Sequence, residues 1–314
     1  MAPNEGSQLK TYVNAIHPQV TSHGLPLGAS FFTAFLCILF GANAVAVKIS
    51  LTGLGVFTTA GLRFGTAAIV LCLYAVCTGK PLAIRRGLFG HIVVLAAIFF
   101  IQLSLFYFGQ AKTTASHGTL ISNILPFMVM LLAHVFIPGE TIRRQRILGL
   151  VVGFAGVLVL FLDNLSMAGD ALHGDLLILL AVMIWSCQVV YIKRIIGNFH
   201  PLQITLYPMA VATPIFLISG FFFDGTMIGA IDSQVVQAML YQIFVTASFG
   251  FVAWNTMISR FGATALHAFV FIMPISGVLL GIVLLGEPLT VNLIGAIVLV
   301  VTGLILVNLT KAAG

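Results

Sequence analysis

Residues Phe40–Lys48 read FGANAVAVK and residues Trp185–Lys193 read WSCQVVYIK; in each, an aromatic residue stands eight positions before a lysine that closes an apolar run. The correspondence continues in order along the chain. Val56 aligns with Pro201 where the next run opens, Pro126–Glu140 (PFMVMLLAHVFIPGE) aligns with Pro274–Glu287 (PISGVLLGIVLLGE), and Gly149 and Gly156 align with Gly295 and Gly303. Every match keeps an offset of 145–148 residues. A chain that matches itself at one offset is a duplication, and the repeated unit holds five apolar runs. An odd number of spans turns the second copy upside down in a membrane, which is the inverted-repeat plan of secondary carriers.

The composition names the solvent. Of 314 residues, 60% are hydrophobic and 7% charged, and the mean hydropathy is +1.14, far above what a water-exposed surface permits. A span takes about 20 apolar residues, and runs of that kind are expected at 29–49, 56–77, 90–110, 114–137 and 147–162, then at 174–195, 201–222, 236–257, 263–285 and 290–308. The runs are continuously apolar and do not alternate, so helices are expected, not a barrel. The expected fold is therefore an all-α integral membrane protein of ten transmembrane helices in two inverted five-helix repeats, 29–162 and 174–309. A tail at 1–28, a linker at 163–173 and a short tail at 310–314 complete it. The first 28 residues have no apolar stretch of signal-peptide type.

Charge orients the spans. With the amino terminus inside, Lys80, Arg85, Arg86, Arg143, Arg144, Arg146, Lys193, Arg194 and Arg260 fall on the inner side, with Lys10 and Lys311 on the tails; Asp163, Asp170, Asp224 and Asp232 fall outside. This separation is the positive-inside pattern and places both termini in the cytoplasm of an inner-membrane, multi-pass protein. The net charge of +6 is dispersed beside apolar runs, which suits orientation in a lipid bilayer and not nucleic-acid binding. Cys37, Cys72, Cys77 and Cys187 lie inside apolar runs without metal-ligand spacing, so no metal or other cofactor is expected.

On these residues the chain resembles the drug/metabolite transporter superfamily, in particular proteins with paired EamA-like domains. The resemblance is carried by the aromatic-to-lysine end of the first run, Leu62-Arg63-Phe64 in the second, and the Pro…Gly-Glu followed by a glycine-bearing fifth run. It implies a cavity between the halves, alternating access, and a small organic cargo such as an amino acid or a vitamin, with export the commoner direction.

Polar residues inside spans are costly in hydrocarbon and mark the bundle interior or a wet cavity. Thr119, Ser122, Asn123 and Pro126 share one helical face, and His267, Phe271 and Pro274 occupy the matching positions of the second half. The cavity is expected between these two stripes, with the helix broken at each proline. Arg63 is a planar donor fork suited to a carboxylate, and the spans are read as having no deeply placed Asp or Glu to neutralise it. Snorkelling or interhelical hydrogen bonding is its other reading. Gln102, Tyr107, Gln188, Gln242 and Trp254, with Tyr207 and Thr246, add donors and ring faces for a cargo or for interhelical contact. Lys48 and Lys193, at opposite ends of the bundle, are read either as anchors or as gate contacts. His267 is the candidate proton relay, so a proton is an open choice of coupling ion.

An enzyme is not expected, because HExxH, GxSxG, a metal-spaced His/Cys set and paired intramembrane aspartates are all missing from the sequence. A channel is the rival of another class, but repeat pairs suit a carrier better than the rings that line a filter. Within carriers, an exporter of amino acids or related metabolites leads, and an importer of a vitamin or nucleoside-like compound is the alternative. The repeat and the charges leave the oligomeric state open.

Overall fold

The computed structural model describes residues 25–137, 142, 144–165, 170–261, 266 and 269–309. The described elements that span the bundle are all helical. Helices α1 (Leu27–Gly41) and α2 (Asn43–Ser50) form one rod that bends at Ala42. It is followed by α3 (Val56–Cys77), α4 (Phe89–Lys112), α5 (Ala115–Ser122), α6 (Leu125–Phe136) and α7 (Arg144–Leu165). The second half holds α8 (Asp170–Ile195), α9 (Pro201–Phe223), α10 (Ser233–Leu240), a π-helical segment (Tyr241–Gly250) that continues into α11 (Phe251–Phe261), then α12 (Ile272–Leu285) and α13 (Val291–Leu309).

Among the described residues, eight helical stretches are long and apolar enough to cross a bilayer, and two apolar helices, Arg146–Leu162 and Ile272–Leu285, are shorter. The two short ones fall in the expected fifth and ninth spans. In the fifth, the apolar stretch is the part of α7 from Arg146 to Leu162. In the ninth, α12 starts at Ile272 with Pro274 in its first turn, and part of the expected span before it lies outside the described residues. The fourth span is broken where the proline predicts: α5 stops at Ser122, Asn123 and Ile124 form a turn, and α6 restarts with Pro126 in its first turn. Proline is tolerated there because the first-turn N–H has no helical partner in any case.

The bundle is polar within and apolar without. Phe221, Phe222, Phe223, Val283 and Leu284 are exposed, whereas Arg63, Gln102, Gln110, His117, Asp175 and Gln242 are buried. That inversion is stable only when hydrocarbon surrounds the protein. Packing runs between the halves: α3 lies along α9, α4 along α8, α7 along α13, and both α1 and α5 against α12. The α7–α13 crossing depends on glycine. A Cβ added to Gly303 would stand 2.6 Å from the Gly149 carbonyl oxygen and 2.7 Å from the Gly153 backbone nitrogen, so the two backbones touch. The Gly149–Gly153 pair thus packs inside the bundle.

Candidate transport cavity

A cavity of about 380 Å³ lies between α3, α4, α8, the first turns of α9 and the π segment. Its polar wall is Arg63, Gln102, Gln188, Asn43 and Thr246; its apolar wall includes Phe40, Phe64, Phe99, Phe106, Trp185 and Phe251. Phe40 and Trp185, which the repeat aligns, face the same space. So do Arg63 and Pro208, the residue that stands in the second half where the first has the arginine.

Arg63 is held from behind. Its Nη1 donates to Tyr107 Oη and to Gln242 Oε1, both at 3.2 Å, and its Nη2 donates to Thr246 Oγ1 at 3.4 Å. The π segment makes this possible, since its wider turn sets Gln242 and Thr246 on the side facing α3. Gln242 is fixed in turn by donating to Ser50 Oγ at 2.6 Å and to the Ala46 carbonyl at 3.2 Å. Among the described residues the hydrogen-bond partners of the guanidinium are neutral, and its buried Nε has none. The cavity therefore carries a net positive charge at one wall. Opposite it, Gln102 Nε2 donates to Gln188 Oε1 at 2.6 Å, joining α4 to α8.

The two ends of the bundle differ. At the end of the acidic loops the helices are stitched together. Lys48 Nζ donates to the carbonyls of Gln110 (2.9 Å), Ala111 (3.2 Å) and Thr113, where the last carbonyls of α4 favour a cation. Gly286, with φ of +67°, ends α12 in the left-handed conformation and delivers Glu287 to the start of α5. There the carboxylate accepts from the N–H groups of Ala115 (2.5 Å) and Ser116 (2.9 Å) and from the Ser116 hydroxyl. Asp224 does the same for α3, accepting from the N–H of Phe57 (3.1 Å), the N–H of Thr58 (2.8 Å) and the Thr58 hydroxyl (2.8 Å). Two backbone bonds, Gly55 N–H to the Met227 carbonyl (3.1 Å) and Gly229 N–H to the Gly53 carbonyl (2.9 Å), close the loops over the bundle. Toward the other end the lining runs on to Ile192 and Thr205, beside the segment that carries Lys193, Arg194 and His200. Burial and the nearby Lys80 charge lower the His200 imidazole below its usual range, and its Nδ1 caps α9 by accepting from the Leu202 N–H at 3.2 Å.

Of the residues singled out from sequence, Arg63, Gln102 and Gln188 line the cavity, and Tyr107 and Gln242 brace the arginine. Trp254 packs edge-on against Phe40, with centroids 5.8 Å apart. The cavity between α3, α4 and α8 does not take in the expected α5–α6 stripe or its counterpart: Thr119, Ser122, Asn123, Pro126, Phe271 and Pro274 are not part of its lining. Thr119 donates to the Ala115 carbonyl at 2.8 Å and lies against Gly277 of α12, and the half-buried Asn123 donates through Nδ2 to the Thr119 carbonyl at 2.8 Å. Phe271 packs against the core cluster of α5, α6, α7, α8 and α13, and Pro274 is buried in the first turn of α12. His267 lies outside the described residues. Lys48 is tied to three carbonyls, whereas its repeat equivalent Lys193 is exposed at the opposite end.

One buried carboxylate is not among the residues singled out from sequence. Asp175, within α8, is fully buried, with His117 Nδ1 at 2.9 Å from its Oδ2 and Thr113 Oγ1 donating to its Oδ1 at 2.5 Å. This carboxylate is buried near the start of α8, where it is held by His117 and Thr113. Its partners lie 58 and 62 residues away, beyond any local spacing signal.

The model of the EamA-like transporter family matches residues 27–162 and 172–309, which is one copy on each half. The chain belongs to that family. EamA proteins similar to it include a "Probable amino-acid metabolite efflux pump" of Salmonella typhimurium, 26% identical over 282 residues (87% of this chain, 92% of the relative). A protein of the same description in Escherichia coli is 28% identical over 276 residues (85% and 90%), and the uncharacterized transporter YyaM of Bacillus subtilis is 26% identical over 289 (89% and 90%). A crystal structure at 18% identity has a TM-score of 0.67, covering 89% of this chain and 96% of its own, and shares the fold. This EamA protein is thus a multi-pass membrane protein of a transporter family.

Proposed function

We propose that this protein is a carrier that exports a small carboxylate-bearing metabolite, an amino acid or a close relative, by alternating access between two inverted five-helix halves. In this reading the ten spans, with Arg146–Leu162 as the fifth and Ile272–Leu285 as part of the ninth, put the basic loops and both termini in the cytoplasm and the stitched end outside the inner membrane. The observation that carries it is Arg63: a buried guanidinium at the head of an aromatic-walled cavity, with neutral hydrogen-bond partners among the described residues. A buried cation wants an anion, and a carboxylate matches its donor fork. The aromatic rings would take the apolar part of the cargo. Lys48 and Glu287 would hold the outer gate in this state, and Lys193 would take the equivalent part at the inner end in the other.

Amino-acid export is supported by what the relatives are named for, and a carrier is favoured over a channel by a cavity whose acidic end is stitched shut. The test is counterflow in proteoliposomes loaded with unlabelled L-leucine. Saturable entry of labelled L-leucine, blocked by other amino acids, is expected. Absence of saturable exchange for leucine and for a panel of carboxylate-bearing metabolites would refute the reading.

A further inference from the structure

The charges in the cavity do not balance. Arg63 is the one charged residue among the described residues that line it. The described carboxylate side chains, Asp170, Asp175, Asp224, Asp232 and Glu287, all stand at the acidic end, held by a lysine, by a histidine or by the helix starts they cap. A zwitterion leaves this balance as it is. Its carboxylate meets the guanidinium, and its ammonium stays behind as a buried cation without a counter-ion, which costs more than attraction to neutral groups returns. A monoanion cancels the arginine and brings no second charge.

An ammonium brings three donors and no acceptor, and the wall has little to receive them. Gln188 Oε1 already accepts from Gln102 at 2.6 Å, and Asn43 Oδ1 from Thr246 at 3.3 Å. Gln102 Oε1, buried without a partner among the described residues, and the Ile204 carbonyl, denied a helical N–H by Pro208, are neutral and supply no counter-charge. The face of Phe64 is taken by Arg63, whose Cζ is 4.9 Å from the ring centroid. The other rings attract a cation less than the water it must leave. We propose that the cavity selects organic monoanions over zwitterions: its cargo keeps the carboxylate of an amino acid and lacks the free ammonium, as a 2-oxo acid or an N-acylated amino acid does. Gln188 sets this selection, because a carboxylate in its place would still accept from Gln102 and would supply the missing counter-ion. The proposal deepens the functional reading above and rests on its carboxylate-carrier part.

The test is counterflow in proteoliposomes carrying the full chain at about pH 7, where L-leucine is a zwitterion and N-acetyl-L-leucine and 4-methyl-2-oxopentanoate are monoanions with the same apolar body. Vesicles are loaded with unlabelled N-acetyl-L-leucine or with unlabelled L-leucine, and entry of the same compound in labelled form is followed. All three compounds then compete from outside. Both monoanions should reach half-inhibition at a concentration about tenfold or more below that of L-leucine. Gln188→Glu should reverse the order in favour of L-leucine, an inversion that a general loss of activity does not produce. L-Leucine competing as well as the monoanions in the parent overturns the proposal and leaves the carboxylate carrier standing. So does exchange of L-leucine without exchange of either monoanion, or a parent-like order in Gln188→Glu. Should Gln188→Glu not yield a monodisperse protein in detergent, Gln102→Glu replaces it, and the order measured in the parent decides in either case. Absence of saturable exchange for all three compounds and for the wider panel of carboxylates would refute the carrier reading itself.

Discussion

Replacing Arg63 by lysine keeps the charge and removes the fork. The guanidinium reaches Tyr107 and Gln242 through one nitrogen and Thr246 through the other, so its plane is set before cargo arrives. A single ammonium cannot span those acceptors and also meet two carboxylate oxygens. Two costs follow, and they separate by assay. Tyr107 and Gln242, both fully buried, lose a donor whatever the cargo, which lowers transport of every compound alike. The lost charge-assisted pair is felt by a carboxylate alone and amounts to about 1.5–3 kcal/mol, or roughly 10–100-fold in apparent affinity. Competition against labelled L-leucine counterflow, by L-leucine and by L-leucinamide in parallel, isolates the second term as a change in their ratio. The reasoning fails if Arg63→Lys weakens acid and amide equally, because the arginine would then be a structural tie between α3, α4 and the π segment.

Three further outcomes follow from the packing. Gly303→Leu drives a side chain into the Gly149 and Gly153 backbone and should cost about 3 kcal/mol or more, seen as a lower Tm in detergent, with Gly303→Ala falling between; an unchanged Tm would refute the close crossing. Asn123→Ala should leave leucine counterflow within about twofold of the parent, since its amide bonds to its own helix; a large loss would return the α5–α6 stripe to the site. The lowered His200 imidazole caps α9 only when neutral, so its contribution is complete above the usual histidine range and is lost as pH falls through the lowered folded value. Hydrogen exchange over residues 198–206, corrected for intrinsic rates, should accelerate below about pH 6 in the parent and not in His200→Asn, which caps at any pH.

The two helix caps contributed by Asp224 and Glu287 tie the halves together at the acidic end. Each carboxylate sits on the positive end of a helix from the other half and is bonded by three donors.

What the sequence determined by itself was the set of properties that depend on summed composition and order. Mean hydropathy and run length required helices in a bilayer. The recurrence of an aromatic-to-lysine ending, a proline and a Gly-Glu pair in both halves pointed to the family that both halves match. Arg63 stood out because one guanidinium in hydrocarbon is improbable without a task, and Pro126 told where the fourth span breaks because its missing N–H acts locally. The tertiary structure decided which polar residues face a cavity. Thr119 and Asn123 share a helical face, as their spacing requires, but spacing is silent on whether that face meets solvent or another helix, and here own-helix carbonyls satisfy both. Asp175, Asp224 and Glu287 stand near span ends, and their partners, a histidine and two helix termini, lie 58–172 residues away. Periodicity reports a residue's neighbours along the chain; hydrogen bonds between helices depend on how the two halves are laid together.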